Sequence, residues 1–203
     1  MSDFMTAYAP LKRFEGGWCN NPDDRGGETY AGIARRFFPR WPGWSLIDAA
    51  KGHSSFRQGR GPFSRHLAGI PALEEAVTEF YRVEWWERLG LARLPQAVAD
   101  EIFEQAVNLG RGGAGKLVQR LCNAFNYDRR TGAALCADLA EDGAIGPKTL
   151  AALSDVLERR ADSSAVVHAL NALQAAHYIG LAARTTAQRQ FVDGWMQRTY
   201  DPA

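Results

Sequence analysis

Apolar residues recur every three or four positions along most of this 203-residue chain, and this helical spacing constrains the fold more than any other feature. The segments that predict helices are 70–89, 95–109, 116–124, 147–159 and 164–183, with a last one through Phe191 and Trp195. Short strand candidates occur only around Glu28–Ile33. We therefore predict a mainly α fold, least regular between Gly16 and Gly69, with a loop at Gly59–Pro62 and an extended connection at Gly132–Asp142.

The first predicted helix carries a carboxylate on its apolar face. Apolar side chains recur between Phe4 and Phe14, Pro10 either kinks this helix or marks its start, and Gly16-Gly17 ends it. At about 100° per residue, Glu15 falls on the same stripe as these apolar residues. Apolar surroundings raise the pKa of a carboxyl toward the range of a general acid. The alternative is a partly buried glutamate paired with an arginine.

Two polar residues in the segment that follows suit a second role in glycosidic cleavage. Such cleavage needs an acid on the leaving oxygen and a polar group on the opposite face of the sugar. Asp24 lies nine positions after Glu15, and Thr29 lies five positions further on. A loop that folds back toward the end of the first helix would place either residue across a cleft as wide as a sugar.

These motifs resemble the signature of a known family. Residues 15–18 read Glu-Gly-Gly-Trp, and residues 20–33 read Asn-Asn-Pro-Asp-Asp-Arg-Gly-Gly-Glu-Thr-Tyr-Ala-Gly-Ile. Both resemble glycoside hydrolase family 108, the N-acetylmuramidases also described as secretion activators, and more distantly the phage lysozymes. The resemblance implies a lysozyme-like helical bundle with an irregular loop or small β excursion after the first helix. It implies Glu15 as the catalytic acid, with Asp24 and Thr29 as its catalytic partners.

The same resemblance suggests residues that contact sugar. Residues 106–110 are similar to the Phe-Asn-x-Gly end of the cleft helix in phage lysozymes, with Val107 in place of Phe, which makes Asn108 a candidate. Tyr30 of the family motif and Trp44 of a nearby aromatic cluster are the other candidates, because sugars stack on aromatic faces.

The C-terminal half resembles the predicted peptidoglycan-binding segment that follows the catalytic part in this family. The resemblance rests on residues 142–150 and 191–198. The alternative is a turn before a helix that starts at Pro147, with Trp195 as a core residue. We predict a catalytic part over residues 1–93 and a helical peptidoglycan-binding part over residues 94–203, packed together as one globule.

Charge and motif content restrict the other function classes. The net charge of +1 disfavours a uniformly basic nucleic-acid binder, but residues 1–66 hold ten basic and six acidic residues, an excess of four positive charges. Several arginines lie among aromatic residues between Arg35 and Arg65. They are either solvated loop charges, a surface on which single-stranded nucleic acid stacks, or a surface that binds the anionic peptidoglycan. Between the two binding interpretations, we favour peptidoglycan over nucleic acid.

No cofactor or metal is expected from the sequence. Residues 110–116 match Gly-x4-Gly-Lys but lack the following Ser or Thr of a phosphate-binding loop, and we interpret them as a tight helix-to-helix connection. Cys19, Cys122 and Cys136 form no metal-binding spacing. They are either inert thiols in a reducing compartment or include a Cys122–Cys136 bridge after export.

The N-terminus shows no basic region followed by an apolar one, so no Sec signal is recognisable. The most apolar stretch, residues 165–183, is interrupted by His168, Asn171, Gln174 and His177, and we predict no membrane span. We expect synthesis in the cytoplasm, delivery through a holin or a secretion system with an immunity protein, and action in the periplasm or on the cell wall.

The leading hypothesis is therefore an N-acetylmuramidase that cleaves the β-1,4 bond between N-acetylmuramic acid and N-acetylglucosamine. The alternatives are a lytic transglycosylase, in which the muramic hydroxyl attacks internally, and a non-catalytic cell-wall or secretion-associated binding module. Retention or inversion at the anomeric carbon depends on the separation of two carboxyl groups, which a sequence does not contain.

Overall fold

The computed structural model describes residues 2–12, 16–21, 26–160 and 163–200, and it confirms a mainly α fold with a small sheet after the first helix. The α-helices are α1 (Phe4–Lys12), α2 (Gly43–Ala50), α3 (Ser54–Arg57), α4 (Arg60–Ala68), α5 (Pro71–Tyr81), α6 (Gln96–Ala124), α7 (Pro147–Glu158), α8 (Ser164–Arg184) and α9 (Val192–Tyr200). A π-helix spans Arg82–Glu87, and 3₁₀ helices span Leu91–Arg93 and Thr186–Phe191. The strands are β1 (Cys19–Asn20), β2 (Glu28–Tyr30) and β3 (Ile33–Ala34).

The chain divides into two compact units. The N-terminal unit comprises Ala9–Glu84, and the C-terminal unit comprises Met1–Tyr8 together with Trp85–Ala203. The division predicted at residues 93/94 stays a prediction. Within the described ranges, no helix is both long enough and apolar enough to cross a membrane.

A tight hairpin organises the sheet of the N-terminal unit. The three antiparallel strands lie in the order β1-β2-β3, and Tyr30 pairs with Ile33. Ala31 and Gly32 form the two-residue turn between them with φ of 45° and 72°, which matches the positive φ values of a type I′ turn. The buried Tyr81 hydroxyl donates a hydrogen bond to the Ala31 carbonyl at 3.0 Å, so α5 holds this turn.

The region predicted to be irregular contains three helices. The prediction of a loop at Gly59–Pro62 is wrong for residues 60–62, because α4 begins at Arg60. Gly59, with φ of 104°, precedes this helix, and Pro62 is tolerated in its first turn because no intrahelical N–H bond is needed there. Phe63 and Leu67 on α4 are fully buried, and they provide the packing that local sequence propensity does not predict.

The glycine-rich run at residues 110–116 is mostly helix. Only Gly110 leaves helical geometry, with φ of 76° and ψ of 156°, so the predicted connection between two helices shrinks to one residue. A Cβ atom on Gly115 would lie 2.0 Å from the Gly143 carbonyl oxygen, and one on Gly143 would lie 2.6 Å from the Gly112 carbonyl oxygen. The glycines on α6 thus permit a backbone-to-backbone approach that any side chain would block.

Three amide side chains, two on α6 and one just after its end, hold the irregular segment that precedes α7. Asn123 accepts a hydrogen bond from the Leu139 N–H at 2.7 Å and donates one to the Leu139 carbonyl at 2.9 Å. Asn126 bonds the Cys136 N–H and carbonyl in the same way. Gln119 accepts from the Gly143 N–H at 2.8 Å. These bonds satisfy backbone groups of a long segment that has no partner strand.

Candidate active site

Two of the three predicted catalytic residues, Glu15 and Asp24, lie outside the described residues, and their roles stay predictions. Thr29 is the central residue of β2, paired with Cys19 on one side and Ala34 on the other. Side chains alternate along this strand, so that Glu28 and Tyr30 are buried while Thr29 on the opposite face is half-buried. The middle strand of a three-stranded sheet is a rigid support for a side chain that must hold its position.

The residues directly after Glu15 are anchored by close packing. A Cβ atom on Gly17 would lie 2.6 Å from the Ser64 hydroxyl oxygen, so only glycine fits this approach to α4. The Gly16 carbonyl accepts a hydrogen bond from the Ala31 N–H at 2.9 Å, and the Trp18 carbonyl accepts one from Arg60 at 3.1 Å. The chain therefore leaves the predicted acid along a path fixed by the hairpin turn and by α4.

The Trp18 ring adds a further anchor. It packs edge-on against Phe63 with 5.0 Å between the ring centroids, and Phe56 contacts it at 5.6 Å. Its indole N–H donates a hydrogen bond to the Glu28 carboxylate at 2.8 Å. Two residues of the Glu-Gly-Gly-Trp motif thus have structural roles. Gly17 permits the close approach of the chain to α4, and Trp18 connects α3 and α4 to strand β2.

Glu28 is the centre of an ion cluster that the sequence analysis missed. Its carboxylate lies 2.9 Å from the Lys51 ammonium and 3.2 Å from the Arg35 guanidinium, and its side chain is only 8% exposed. Asp48 pairs with the same two cations, at 2.7 Å from Lys51 and 2.8 Å from Arg35. Two carboxylates thus face two cations, and the cluster joins β2 to α2 beside Thr29. The signal available in the sequence was the two-residue spacing of Glu28 and Tyr30, which puts both side chains on the same face of a strand.

The pKa shifts agree with this arrangement. Hydrogen bonds from Arg35 and then Lys51 lower the pKa of Asp48. Burial by itself would lower the pKa of Lys51, but hydrogen bonds to Asp48 and Glu28 outweigh it and raise that pKa. Asp48 and Lys51 are therefore held in their charged forms near neutral pH.

We expect Glu28→Ala to lower the free energy of unfolding by about 2 kcal/mol, because it removes the buried one of the two carboxylates that pair with Arg35 and Lys51 and leaves the Trp18 N–H without its acceptor. Glycan cleavage is expected to fall as well, since β2 loses its connection to α2. Urea denaturation measures the first effect and clearing of peptidoglycan suspensions the second. Glu75→Ala, at an exposed position on α5, is the matched control. Equal stability of the two variants would show that the cluster contributes nothing.

The part of the chain that holds these features matches a known protein family. The family model described as Glycosyl hydrolase 108 matches residues 9–110, which is half of the chain and includes Glu15, Asp24 and Thr29. The chain belongs to glycosyl hydrolase family 108. This membership shows a glycoside hydrolase, and it agrees with the resemblance carried by the two sequence motifs.

The rest of this family 108 chain matches a second model. It is described as Predicted Peptidoglycan domain and covers residues 113–200. The two matches together support a peptidoglycan hydrolase. A comparison with curated proteins found no match.

A solved structure titled "Structure of Brucella abortus SagA" resembles this family 108 chain. The TM-score is 0.55 at 21% sequence identity, and the alignment covers 97% of this chain and 89% of SagA. At this identity the likeness concerns the fold, and it extends over both family-model matches.

Two predicted sugar contacts lie in the core. Tyr30 is 8% exposed and Trp44 4% exposed. The Arg35 guanidinium lies 4.6 Å from the centroid of the Trp44 ring, and Trp41 packs edge-on against it at 5.0 Å. Burial also raises the pKa of Tyr30. Because a sugar needs an open aromatic face, this packing argues against stacking roles for both residues in the family 108 site.

Asn108 lies exposed on α6, as a surface contact requires, and its amide nitrogen donates hydrogen bonds to the Glu104 carbonyl and carboxylate. Its role in sugar binding stays a prediction.

Among the described residues, no group of three or more His, Cys, Asp or Glu side chains is placed to hold a metal ion.

The cysteines are free thiols in this structure. Cys122 is buried, and burial raises its pKa to about 12, which suppresses the reactive thiolate. Cys136 is exposed and lines the same small cavity as Cys122. The interpretation as unreactive thiols therefore fits Cys122.

Proposed function

We propose that this chain is an N-acetylmuramidase that cleaves the β-1,4 bond between N-acetylmuramic acid and N-acetylglucosamine in peptidoglycan. The observation that carries the proposal is the family 108 match over residues 9–110, which includes the Glu-Gly-Gly-Trp motif. The structure supports it by giving Gly17 and Trp18 physical roles in fixing the chain next to Glu15. The second match, to a peptidoglycan domain, indicates the same polymer as substrate.

In the proposed reaction Glu15 donates a proton to the glycosidic oxygen as the bond from the muramic anomeric carbon to that oxygen breaks. Asp24 or Thr29 acts on the opposite face of the sugar, where it stabilises the oxocarbenium-like transition state or orients water. Water supplies the hydroxyl group of the new reducing end, and its proton restores the acid. No metal or redox cofactor takes part in this sequence of steps.

The nature of the product tests the proposal. The full chain is incubated with purified peptidoglycan, and the soluble fragments are analysed by mass spectrometry. Fragments that end in reducing N-acetylmuramic acid are expected, since water completes the reaction. Fragments that end in 1,6-anhydromuramic acid would instead show a lytic transglycosylase. Binding to the polymer without release of fragments would show a non-catalytic module.

We propose further that the enzyme acts in the periplasm or on the cell wall after delivery by a holin or a secretion system. The proposal rests on the polymer indicated by the second family match, because peptidoglycan lies outside the cytoplasm. Neighbouring genes test the route. Holin genes would indicate a phage endolysin, and secretion-apparatus genes with an immunity gene would indicate an effector.

A further inference from the structure

The part of the N-terminal unit between α2 and α5 carries positive charge that the protein does not neutralise. Residues 49–73 contain no aspartate or glutamate but four cations, Lys51, Arg57, Arg60 and Arg65. Lys51 is neutralised by the Glu28 ion cluster. The three arginines are exposed, and none of them forms an ion pair with another residue in the described ranges.

These three arginines, the arginine cluster, lie at one end of α4. Arg60 is the first residue of α4, and its Nε donates a hydrogen bond to the Trp18 carbonyl at 3.1 Å. A Cβ atom on Gly61 would lie 3.7 Å from Nη1 of Arg65, so this guanidinium lies beside the residue that follows Arg60. Arg57 ends α3, three positions before Arg60, and the Cα atoms of these two residues are therefore at most about 11 Å apart.

The cluster contacts the sequence motif that contains the predicted acid. Trp18 ends the Glu-Gly-Gly-Trp motif, and its carbonyl accepts a second hydrogen bond from the Ser64 hydroxyl at 3.4 Å. Its ring packs edge-on against Phe56, the residue directly before Arg57. Only two residues separate Trp18 from Glu15 in the sequence, so a substrate that reaches the predicted acid comes near the cluster.

Folding alone does not account for three arginines at this place. Like charges that are not neutralised repel one another and destabilise the folded state. Arg57 and Arg65 donate no hydrogen bond to the described part of the chain, and Arg60 donates only through Nε. Each guanidinium therefore keeps a pair of outer N–H groups, the arrangement that binds a carboxylate through two parallel hydrogen bonds.

We propose that the arginine cluster binds the carboxylates on the muramic acid branches of peptidoglycan, so that the enzyme prefers this anionic glycan to a neutral one. The proposal rests on the proposed function and adds the chemical group that the N-terminal unit recognises beside the acid. The carboxylate belongs to the lactyl group itself where no peptide is attached, and to the stem peptide where one is attached.

Single-stranded nucleic acid, the other anionic polymer considered for this region, fits the cluster less well. Such strands bind where aromatic rings beside cations offer open faces to successive bases. Phe63 on α4 is fully buried, and the rings of Trp18 and Phe56 pack edge-on against it. The aromatic residues next to the cluster thus form a packed group and not a row of open faces.

Initial rates of the full chain at increasing peptidoglycan concentrations test the proposal. We expect Arg57→Gln with Arg65→Gln to raise KM at least about fivefold and to change kcat by less than about twofold, because the contact is equally present before and during bond cleavage. Arg129→Gln with Arg130→Gln removes the same charge from exposed positions of the C-terminal unit and is the matched control. We expect this control to keep the KM of the unmodified chain.

A change of substrate identifies the source of the carboxylate. An amidase removes the stem peptides and leaves the lactyl carboxylates, whereas coupling to methylamine converts the carboxylates to neutral amides. If the stem peptide supplies the group, the difference in KM between the double variant and the unmodified chain disappears on the peptide-free glycan. If the lactyl group supplies it, the difference remains there. On the neutralised polymer it should disappear in both cases, and a difference that persists would overturn the proposal.

The other outcomes are distinguishable as well. If the unmodified chain neither binds nor cleaves peptidoglycan, the proposed function fails together with this proposal. If the chain cleaves it and the double variant has the KM of the control pair, only the role of the arginine cluster is overturned. Binding to a single-stranded oligonucleotide that the double variant loses, with KM for peptidoglycan unchanged, would assign the cluster to nucleic acid and also overturn the proposal.

A single substitution keeps the test decisive if circular dichroism shows that the double variant does not fold. Arg57→Gln is then compared with Arg129→Gln, and we expect KM to differ by at least about twofold, since one of the guanidinium–carboxylate contacts is lost. Equal KM values of these two single variants would overturn the proposal.

Discussion

Replacing Glu15 by Gln is expected to reduce the rate of peptidoglycan cleavage at least about a hundredfold. A glutamine side chain has nearly the same shape but no acidic proton, and general acid catalysis contributes about 10²–10⁴ to such rates. Clearing of a peptidoglycan suspension gives the rate, and co-sedimentation with the polymer gives the binding. We expect the rate to fall while binding stays intact, because the polymer contacts more of the chain than one carboxyl group.

Two further variants sharpen this prediction. Glu75→Gln makes the same chemical change at an exposed position on α5 and is expected to leave the rate unaltered. Glu15→Asp keeps the acid but shortens it by one methylene, so we expect an intermediate rate. If Glu15→Gln clears peptidoglycan as fast as the unmodified chain, the proton must come from another residue.

The C-terminal unit contains a buried carboxyl group whose ionisation should control its stability. Glu101 on α6 is 5% exposed and accepts hydrogen bonds from Gln105 and Asn171, each at 2.8 Å. Burial first, and the nearby charges of Glu104 and Asp100 in addition, raise its pKa from the usual 4.5 to about 7, against the lowering effect of the two hydrogen bonds.

The surrounding amides favour the protonated form as well. Three buried amide oxygens, those of Gln105, Asn171 and Gln174, have no hydrogen-bond partner among the described residues. A protonated Glu101 has an O–H group that can donate to the Gln105 or Asn171 oxygen after that amide rotates. Such a bond would satisfy a buried acceptor that otherwise costs free energy.

We expect the C-terminal unit to lose about 3 kcal/mol of stability in total as the pH rises from below 4.5 to above 7. Folding raises the pKa of Glu101, so the folded state binds more protons than the unfolded state between these values, and this stability is lost as the pH rises through about 7. Hydrogen exchange of α6 and α8 peptides, followed by mass spectrometry between pH 5 and pH 8.5, measures the effect after correction for intrinsic exchange rates.

Glu101→Gln isolates this contribution, because glutamine stays neutral at every pH. We expect the variant to lack most of the pH dependence and to be more stable than the unmodified chain at pH 8.5. Glu158→Gln, at an exposed position at the end of α7, should retain the full dependence. The same pH dependence in all three proteins would exclude Glu101 as its source.

Strong local patterns predicted the elements that the structure confirms. Pro71–Tyr81, Pro147–Glu158 and Ser164–Arg184 are helices with apolar residues at regular spacing, and the first two begin with a proline. Glu28–Tyr30 and Ile33–Ala34 are the short strands expected after the first helix. Each of these signals comes from neighbouring residues and needs no information about distant contacts.

The misjudged residues depend on contacts between segments far apart in the sequence. The sequence predicts a helix-to-helix connection at residues 110–116 because glycine disfavours helices, but all of them except Gly110 are helical, and Gly115 closely approaches Gly143. The packing of Arg35 and Trp41 against the ring of Trp44, a predicted sugar contact, is likewise absent from local sequence patterns. The Glu28 ion cluster was missed because Lys51 is 23 positions away along the chain.

The sequence alone determined the mainly α class and the family motif around Glu15, since both depend on the identity and spacing of nearby residues. The tertiary structure decided which polar and aromatic groups are buried. It placed Glu28 between two cations, enclosed Glu101 among amides and left the Phe191 side chain 48% exposed. Burial depends on packing among distant segments, and it decides whether a carboxyl group holds its proton and whether an aromatic ring can meet a ligand.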